Sequence, residues 1–187
     1  GVNAFFDWAT MKYNASGAQQ WLDVFASTTL AYSEMPVDID LDANGNVYVA
    51  GSAPFLSFTN TDMYVIKYNN SGTRIWETAI YNTSNNSGEY IDDMVVDNGG
   101  NVFIIGTVVS NPGGQDIATA KLNATGQLSW MVTTDSIQQT DYARKLVLDP
   151  TGNYVYTAGD VTVFASSALK RDMIIQKLDT AGNEVAR

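Results

Sequence analysis

The chain has 187 residues, of which 45% are hydrophobic, so it is long enough to bury a substantial core. Its formal net charge of -10 repels phosphate backbones and anionic lipids, and no apolar stretch is long enough to span a bilayer, so we expect neither nucleic-acid binding nor membrane insertion. The absence of Cys and His excludes disulfides, thiolate nucleophiles, the usual general base and the commonest transition-metal ligand.

One sequence block recurs along the chain at intervals of 55, 54 and 56 residues. Its four copies begin at Asp7, Asp62, Asp116 and Asp172. Each copy carries a Lys five residues and a Gly ten residues after the Asp, and three copies carry a Trp fourteen residues after it. These recurring residues are Lys12, Lys67, Lys121, Lys177, Gly17, Gly72, Gly126, Gly182, Trp21, Trp76 and Trp130, with Ala186 at the fourth Trp position. A fixed period of this length indicates a repeat architecture.

A second block lies between the copies of the first one and ends at Gly51, Gly106 and Gly159. In each copy an apolar run ends in an Asp, and a Gly-containing turn and a β-branched or aromatic run follow it. Gly and Asn supply the positive φ that tight hairpins need, so this block predicts two short strands joined by a turn. The first block predicts a second hairpin, because apolar runs flank its own Gly-containing turn.

Each period therefore holds four strands, and runs such as residues 63–66 are apolar on both alternating faces, as in sheets that are covered on both sides. Four short strands per repeat with a Trp and turn glycines indicate an all-β fold of β-propeller blades, each with four antiparallel strands. The first blade consists of its two outer strands only, and the last blade ends in a strand that starts at Glu184. This gives about three and a half blades in an incomplete ring. We expect residues 1–187 to form a single propeller array that belongs to a larger propeller or is completed by neighbouring chains.

The pairing of the two blocks resembles the SBBP repeat, a β-propeller repeat of secreted bacterial and archaeal surface proteins. The match is most specific at Asp62, Lys67, Tyr68, Gly72, Trp76, Gly100, Asn101, Val102 and Gly106. The resemblance covers nearly the whole chain and implies an extracellular or cell-surface location, but it brings no common catalytic residues. The last copy departs from the pattern at Ala186, as a worn or terminal repeat does. A weaker resemblance is to propellers that bind pyrroloquinoline quinone, which need a complete ring and Ca2+ ligands beside the quinone.

These features favour a non-enzymatic extracellular structural or interaction protein, either a surface module or the subunit of a self-assembling filament. Its expected partners are copies of itself or further blades, because open strand edges recruit other strands. One alternative is a propeller that binds a glycan or Ca2+, with Phe55, Phe58 and Tyr81 as candidate loop contacts. A second alternative is a fragment of a quinone-dependent propeller enzyme.

Asp40, Asp42 and Asn44 match the start of an EF-hand calcium loop, in which alternate oxygen ligands surround the cation. The Glu that completes such a loop is missing, and the other repeats have Val95 and Val147 at the position of Asp40. A weak Ca2+ site and a hairpin turn are both compatible with this pattern, and we favour the turn.

Asp38 and Asp93 occupy equivalent positions in the first strand of their blades, where the next repeat has Lys145. One possibility is a carboxylate pair that performs acid–base catalysis or binds a cation. The other is a solvated lining of a central channel. We favour the solvated lining, because the chain has no His or Cys to accompany such a pair.

The recurring Asp, Lys and Trp residues invite two interpretations. They build and pack the blades, or the Asp and Lys residues form a ring of ligands and the Trp faces stack on sugars. Because each type repeats at a fixed position in its block, we expect the packing role.

Sequons for N-glycosylation occur at five positions. Asn14, Asn69 and Asn123 fall on equivalent turns, where Asn is also the residue that the turn prefers. Asn82 and Asn85 lie in a polar loop and are therefore the better glycan candidates.

Overall fold

The structure is a computed structural model that describes residues 6–26, 33–54, 61–80, 88–110, 114–135, 137, 139–165 and 168–187. Over these residues the chain is all-β, as predicted, with 14 strands in four antiparallel sheets and no helix. No helix in this part of the chain is therefore long and apolar enough to cross a membrane. Phe55, Phe58, Tyr81, Asn82 and Asn85 lie outside the described residues, so the predictions made for them stay predictions.

The strands follow one another along the chain in four groups. The first sheet contains β1 (Trp8–Tyr13) and β2 (Gln19–Phe25). The second sheet contains β3 (Met35–Leu41), β4 (Val47–Ala53), β5 (Asp62–Tyr68) and β6 (Arg74–Ile80). The third sheet contains β7 (Tyr90–Val96), β8 (Val102–Ser110), β9 (Gly114–Leu122) and β10 (Leu128–Thr134). The fourth sheet contains β11 (Tyr142–Leu148), β12 (Tyr154–Ala165), β13 (Ala168–Asp179) and β14 (Glu184–Ala186).

Within every sheet, each strand pairs antiparallel with its neighbours in sequence. The Gly-ending block forms the first two strands of each four-stranded sheet, and the Asp-Lys-Gly-Trp block forms the last two. This order confirms the four predicted strands per repeat, the two-stranded start and the short last strand at Glu184. The number of blades and the ring itself stay predictions.

Among the described residues, seven hairpin turns are closed by an Asp or Asn side chain, and Asp97 shows the arrangement. Its Oδ1 accepts hydrogen bonds from the backbone N–H groups of Gly99 and Asn101 at 2.8 and 2.9 Å. Gly100 follows with a φ of 79°, a conformation that glycine adopts without the steric cost of a Cβ. Side-chain bonds of this type also occur at Asn14, Asp42, Asn69, Asn123, Asp149 and Asp179. The recurring turn chemistry in the sequence is thus the chemistry of these hairpins.

The Gly that ends each copy of the second block is required by close backbone packing. A Cβ added at Gly51 would lie 2.2 Å from the carbonyl oxygen of Met35, and one at Gly106 would lie 2.1 Å from that of Tyr90. A register shift lies beside each Gly in the paired strand. Any larger residue would push the first two strands of the sheet apart.

The four sheets stack in chain order, and an apolar cluster fills each of the three spaces between them. Each sheet thus has a forward face, turned towards the next sheet, and a backward face, turned towards the previous one. In the second sheet, Tyr48 and Val65 pack forward against the third sheet, and Val49 and Ile66 pack backward against the first. All residues of β4 and β5 are buried, which confirms the prediction of strands covered on both sides.

Candidate functional site

One hydrogen bond recurs between neighbouring sheets, and its donor is the indole Nε1 of the recurring Trp. The three bonds are Trp21 to Asn70 at 3.2 Å, Trp76 to Ala124 at 3.1 Å and Trp130 to Thr180 at 3.0 Å. Each acceptor is a backbone carbonyl group in the turn between the last two strands of the following sheet. We call this arrangement the Trp contact. It confirms the packing role predicted for the three Trp residues.

The recurring turn Gly lies directly against the indole of the previous sheet. A Cβ added at Gly72 or Gly126 would lie 2.6 Å from the ring of Trp21 or Trp76, which is closer than real side chains approach. Within one repeat the Gly and the Trp are only four residues apart in the sequence, but they do not form a packing pair. Each meets its partner from the neighbouring repeat.

Two of the four recurring Lys residues bond to the same turns. Lys12 Nζ donates to the carbonyl oxygen of Asn70 at 3.2 Å, and Lys121 Nζ donates to that of Thr180 at 3.2 Å. Lys121 Nζ also lies 5.1 Å from the ring centroid of Phe103, within the range of a cation–π interaction. Lys12 and Lys121 therefore stabilise the stack together with the Trp contact, which is a structural role as predicted for the recurring Lys.

The backward face of the first sheet is apolar and exposed. Met11 and Tyr13 flank Lys12 on β1 and are 47% and 53% exposed, and Leu22 and Val24 on β2 are exposed to a similar degree. The residues that flank the recurring Lys in the other repeats are buried, namely Ile66, Tyr68, Ala120, Leu122, Gln176 and Leu178. The first sheet thus presents to solvent the surface that the other repeats cover.

A groove of about 630 Å³ separates this face from β3. Met11 and Tyr13 line one side of the groove, and Ile39 and Leu41 line the other. Ile39 is 57% exposed, whereas Leu146, at the equivalent position in the fourth sheet, is 4% exposed. The equivalent space behind the third and fourth sheets is filled by strands of the preceding sheet.

The edge of β1 that borders this groove is unpaired among the described strands. β5, β9 and β13 occupy the same place in their sheets, and each of them pairs along both edges. An unpaired edge offers backbone N–H and C=O groups to an added strand. We call this edge, the groove and the backward face of the first sheet together the open face.

Carboxylates on the first strands of the sheets bond each sheet to the next. Asp38 Oδ2 accepts a hydrogen bond from the backbone N–H of Met94, and Asp93 Oδ2 accepts one from Leu146, both at 2.9 Å. Burial raises the pKa of Asp38, and the neighbouring Asp93 raises it further against the effect of the Met94 hydrogen bond. Lys145 Nζ lies 2.6 Å from Asp93 Oδ1, which raises the pKa of Lys145. The solvated lining expected for Asp93 is wrong, because this residue is buried.

The residues of the calcium candidate take part in local and inter-sheet hydrogen bonds. Asp42 Oδ1 accepts the backbone N–H groups of Asn44 and Asn46 at 2.9 and 3.0 Å. Burial acts to raise the pKa of Asp42, but the hydrogen bonds from Asn46 and Asn44 have the larger combined effect. The pKa of Asp42 is therefore lowered. Asp40 Oδ2 accepts the backbone N–H of Val96 in the third sheet at 2.8 Å. Ca2+ binding at Asp40, Asp42 and Asn44 stays a prediction.

The sequence did not single out an acidic cluster that lies between the third and fourth sheets. One carboxylate oxygen from each of Asp116, Asp135 and Asp141 lies within 4.8 Å of the other two, and only Asp135 is exposed. The backbone N–H of Asp141 donates to Gln115 at 2.6 Å, and its Oδ1 accepts the N–H of Thr162 at 2.7 Å. One sequence signal could have pointed to this cluster, namely an acidic residue 25 to 27 positions after the Asp that begins a copy of the first block. This acidic residue recurs at Glu34, Glu89 and Asp141.

Three of the sequon asparagines lie in hairpin turns. The Oδ1 atoms of Asn14, Asn69 and Asn123 each accept hydrogen bonds from the backbone N–H and the hydroxyl group of the Ser or Thr two residues later. Their sequon pattern is therefore also the pattern of the turn. Glycosylation of these residues, and of Asn82 and Asn85 outside the described residues, stays a prediction.

A scan against protein-family models finds no match for the chain, and a search of the curated proteins finds none either. The resemblance to the SBBP repeat therefore rests on the recurring residues alone. Among the sites described above, the open face differs most from its equivalents elsewhere in the molecule.

Proposed function

We propose that the chain is a non-enzymatic interaction protein of the β-propeller type, and that it joins its partners through the open face. The observation that carries the proposal is the exposure of Met11, Tyr13, Ile39 and Leu41 where the other repeats bury the equivalent surface. A secreted or cell-surface location is part of the proposal and rests on the resemblance to the SBBP repeat.

Two structural features support a propeller arrangement of the sheets. The four-stranded sheets run antiparallel in chain order and pack on one another through both faces. Their first strands β3, β7 and β11 lie side by side, as the innermost strands of neighbouring blades do. The ring and its number of blades belong to the proposal.

The open face suits the addition of a two-stranded β-segment. Such a segment would pair with the free edge of β1 and cover the side chains of Ile39 and Leu41, in the place that β3 and β4 take beside β5. Burying an aliphatic side chain of this size contributes about 1.5–3 kcal/mol, so the two side chains alone favour an occupied groove. The partner of the proposal is a second copy of the chain, which would pair one of its own edge strands with β1 and cover the groove.

Sedimentation velocity over a wide concentration range tests this proposal. The wild-type chain is compared with Leu41→Lys, which puts a charge into the groove, and with the matched variant Leu128→Lys. Leu128 is 48% exposed on β10, against 57% for Leu41, but it lies outside the open face. We expect weak, concentration-dependent self-association of the wild type and of Leu128→Lys, and a monomeric Leu41→Lys variant at all concentrations.

Two results would contradict the proposal. One is a wild-type chain that stays monomeric at the highest concentration reached. The other is an equal effect of the two lysine substitutions, because the association would then not depend on the open face.

A further inference from the structure

Two backbone N–H groups of β7 donate to carboxylates of β3. Asp38 accepts the N–H of Met94 at 2.9 Å, and Asp40 accepts that of Val96 at 2.8 Å. Side chains on the first strand of one sheet therefore satisfy the donors that face them on the first strand of the next sheet. We call the space between β3 and β7 the first junction and the space between β7 and β11 the second junction.

The second junction repeats only one of these two hydrogen bonds among the described residues. Asp93 accepts the N–H of Leu146 at 2.9 Å. Val95 stands at the position of Asp40, and its side chain has no oxygen that could accept a hydrogen bond. The N–H of Leu148, two residues after Leu146, therefore lacks the carboxylate that its equivalent at the first junction has.

The N–H of Leu148 points into the second junction. Alternate N–H groups of a strand in an antiparallel sheet point to opposite edges. The N–H of Asp149 donates to Tyr154 of β12 at 2.9 Å. The N–H of Leu146 donates to Asp93 on the other side of β11. Since Leu148 precedes Asp149 by one residue and follows Leu146 by two, its N–H points away from β12 and towards β7.

A groove of about 730 Å³ lies between β7 and β11 at this place. Its lining includes Val95 on one side and Leu148 on the other, together with the turns that follow the two strands. Ligand pockets in proteins typically measure about 300–1,000 Å³, so the groove is large enough for a small organic molecule.

Lys145 places a cation on the groove. Its side chain is 72% exposed, and its Nζ lies 2.6 Å from Asp93 Oδ1. A Lys ammonium group has three N–H donors, so the contact with Asp93 leaves donors that can face an anion in the groove.

The two junctions differ in charge in the direction that favours an added carboxylate at the second. At the first junction, the aligned positions of the two strands and their turns hold five carboxylates and no cation, and these are Asp38, Asp40, Asp42, Asp93 and Asp97. The aligned positions at the second junction hold three carboxylates and one cation, and these are Asp93, Asp97, Asp149 and Lys145. One more carboxylate would therefore leave the second junction less negative than the first.

We propose that the groove of the second junction binds a small organic acid, whose carboxylate accepts the N–H of Leu148 as Asp40 accepts that of Val96. Lys145 faces the anion from the same groove, and the rest of the ligand lies beside Val95. The site lies outside the open face, so the inference goes beyond the proposed function.

Glucuronate and glucose form a matched pair of probes for this site. They share one sugar ring and differ in a carboxylate that takes the place of a hydroxymethyl group. A titration of the full chain, followed by NMR of its backbone amides, should show that glucuronate shifts the N–H resonance of Leu148. We expect glucuronate to bind about tenfold or more tightly than glucose, because a hydrogen bond to a charged acceptor is stronger than one to a neutral acceptor.

Val95→Asp tests the acceptor position, because the new carboxylate would bond to Leu148 and repel the ligand. We expect it to weaken glucuronate binding about tenfold or more. Val37→Asp is the matched control, since it adds the same charge on an exposed position of β3 that does not line the groove. This control should bind glucuronate as the wild type does.

Lys145→Gln tests the cation without changing a buried side chain. It should weaken glucuronate binding, whereas Lys170→Gln should not, because Lys170 is exposed outside the groove. If Val95→Asp does not fold, this pair of variants decides. An unchanged affinity of Lys145→Gln would then overturn the site.

Three results with folded proteins would overturn the carboxylate site. They are equal binding of the two sugars, no shift of the Leu148 N–H with glucuronate, and equal affinity of Val95→Asp and Val37→Asp for it. These outcomes are separate from the proposed function, since the self-association that Leu41→Lys abolishes does not involve this groove.

Discussion

The space between the second and third sheets and the open face of the first sheet are built from equivalent residues in different surroundings. In the first of these regions, Ala120 is buried and the Trp76 indole lies against Gly126. In the second, Met11 is half exposed and no indole of the described residues lies against Gly17. The repeat therefore specifies two surfaces that fit the neighbouring repeats, and the burial of each surface depends on whether that neighbour is present.

The largest expected effect comes from removing a Trp contact inside the stack. Trp76→Ala deletes the hydrogen bond to Ala124 and leaves a cavity against Gly126, so we expect the free energy of unfolding to fall by about 3–5 kcal/mol. Urea unfolding followed by circular dichroism measures the change. A loss below about 1 kcal/mol would show that the contact adds little to the packing of the sheets.

The next prediction compares a leucine that is buried between two sheets with a leucine that is exposed in the groove. Leu146 is buried between the third and fourth sheets and Leu41 is exposed in the groove, so Leu146→Ala should cost about 2–5 kcal/mol. Leu41→Ala should cost less than about 1 kcal/mol, because an exposed side chain leaves no cavity. Urea unfolding of both variants at a concentration where the chain is monomeric separates the two cases. Equal losses would mean that the groove is filled in solution.

A smaller effect isolates the Trp contact from the strain of the turn. Gly126→Ala and Gly17→Ala both place a side chain at positive φ, at 83° and 80°, which costs about 1 kcal/mol. Only Gly126→Ala also pushes a Cβ into an indole ring, so it should cost about 1–3 kcal/mol more than Gly17→Ala. Thermal and urea unfolding of the pair measure the difference. Identical stabilities would argue against the tight Gly–Trp packing.

The smallest expected effect concerns the turns that receive an indole. Hydrogen bonds from Asn183 lower the pKa of Asp179 below its ordinary value of 3.8, so the stability that they add is present above that value and is lost as the pH falls through the lowered pKa. Asp179→Asn keeps the acceptor oxygen, as the equivalent Asn14 and Asn69 do, but does not titrate. We expect the variant to lose less stability than the wild type when urea unfolding is repeated from pH 5 down to pH 2. The same acid loss in both proteins would contradict this role of Asp179.

Much of the fold could be predicted from the sequence because its determinants are local. Asx turns, turn glycines and β-branched runs lie within a few residues of one another, so strands such as β4 and β5 and the order of all four sheets were recognisable. The packing role of Trp21 also followed from repetition. The repeat alone, however, did not reveal that the Gly at one turn fits the Trp of another repeat, since Gly72 lies 51 residues after Trp21 in the sequence.

The candidate site was less predictable, because it depends on which faces are covered. The exposure of Met11 and Ile39 follows from the arrangement of whole sheets, and no local pattern distinguishes them from their buried equivalents. Burial of Asp93 was missed for the same reason, since its hydrogen bond to Leu146 joins residues of different repeats. The cluster around Asp141 likewise forms only where two sheets meet.

Amide hydrogen exchange of β1 and β5, at a concentration where the chain is monomeric, tests most directly whether the first sheet has an open edge. Alternate N–H groups of an antiparallel strand point to opposite edges, so about half of the amides of β1 should exchange rapidly. The amides of β5, which pairs with β4 and β6, should be protected throughout. Equal and complete protection of the two strands would contradict the open face.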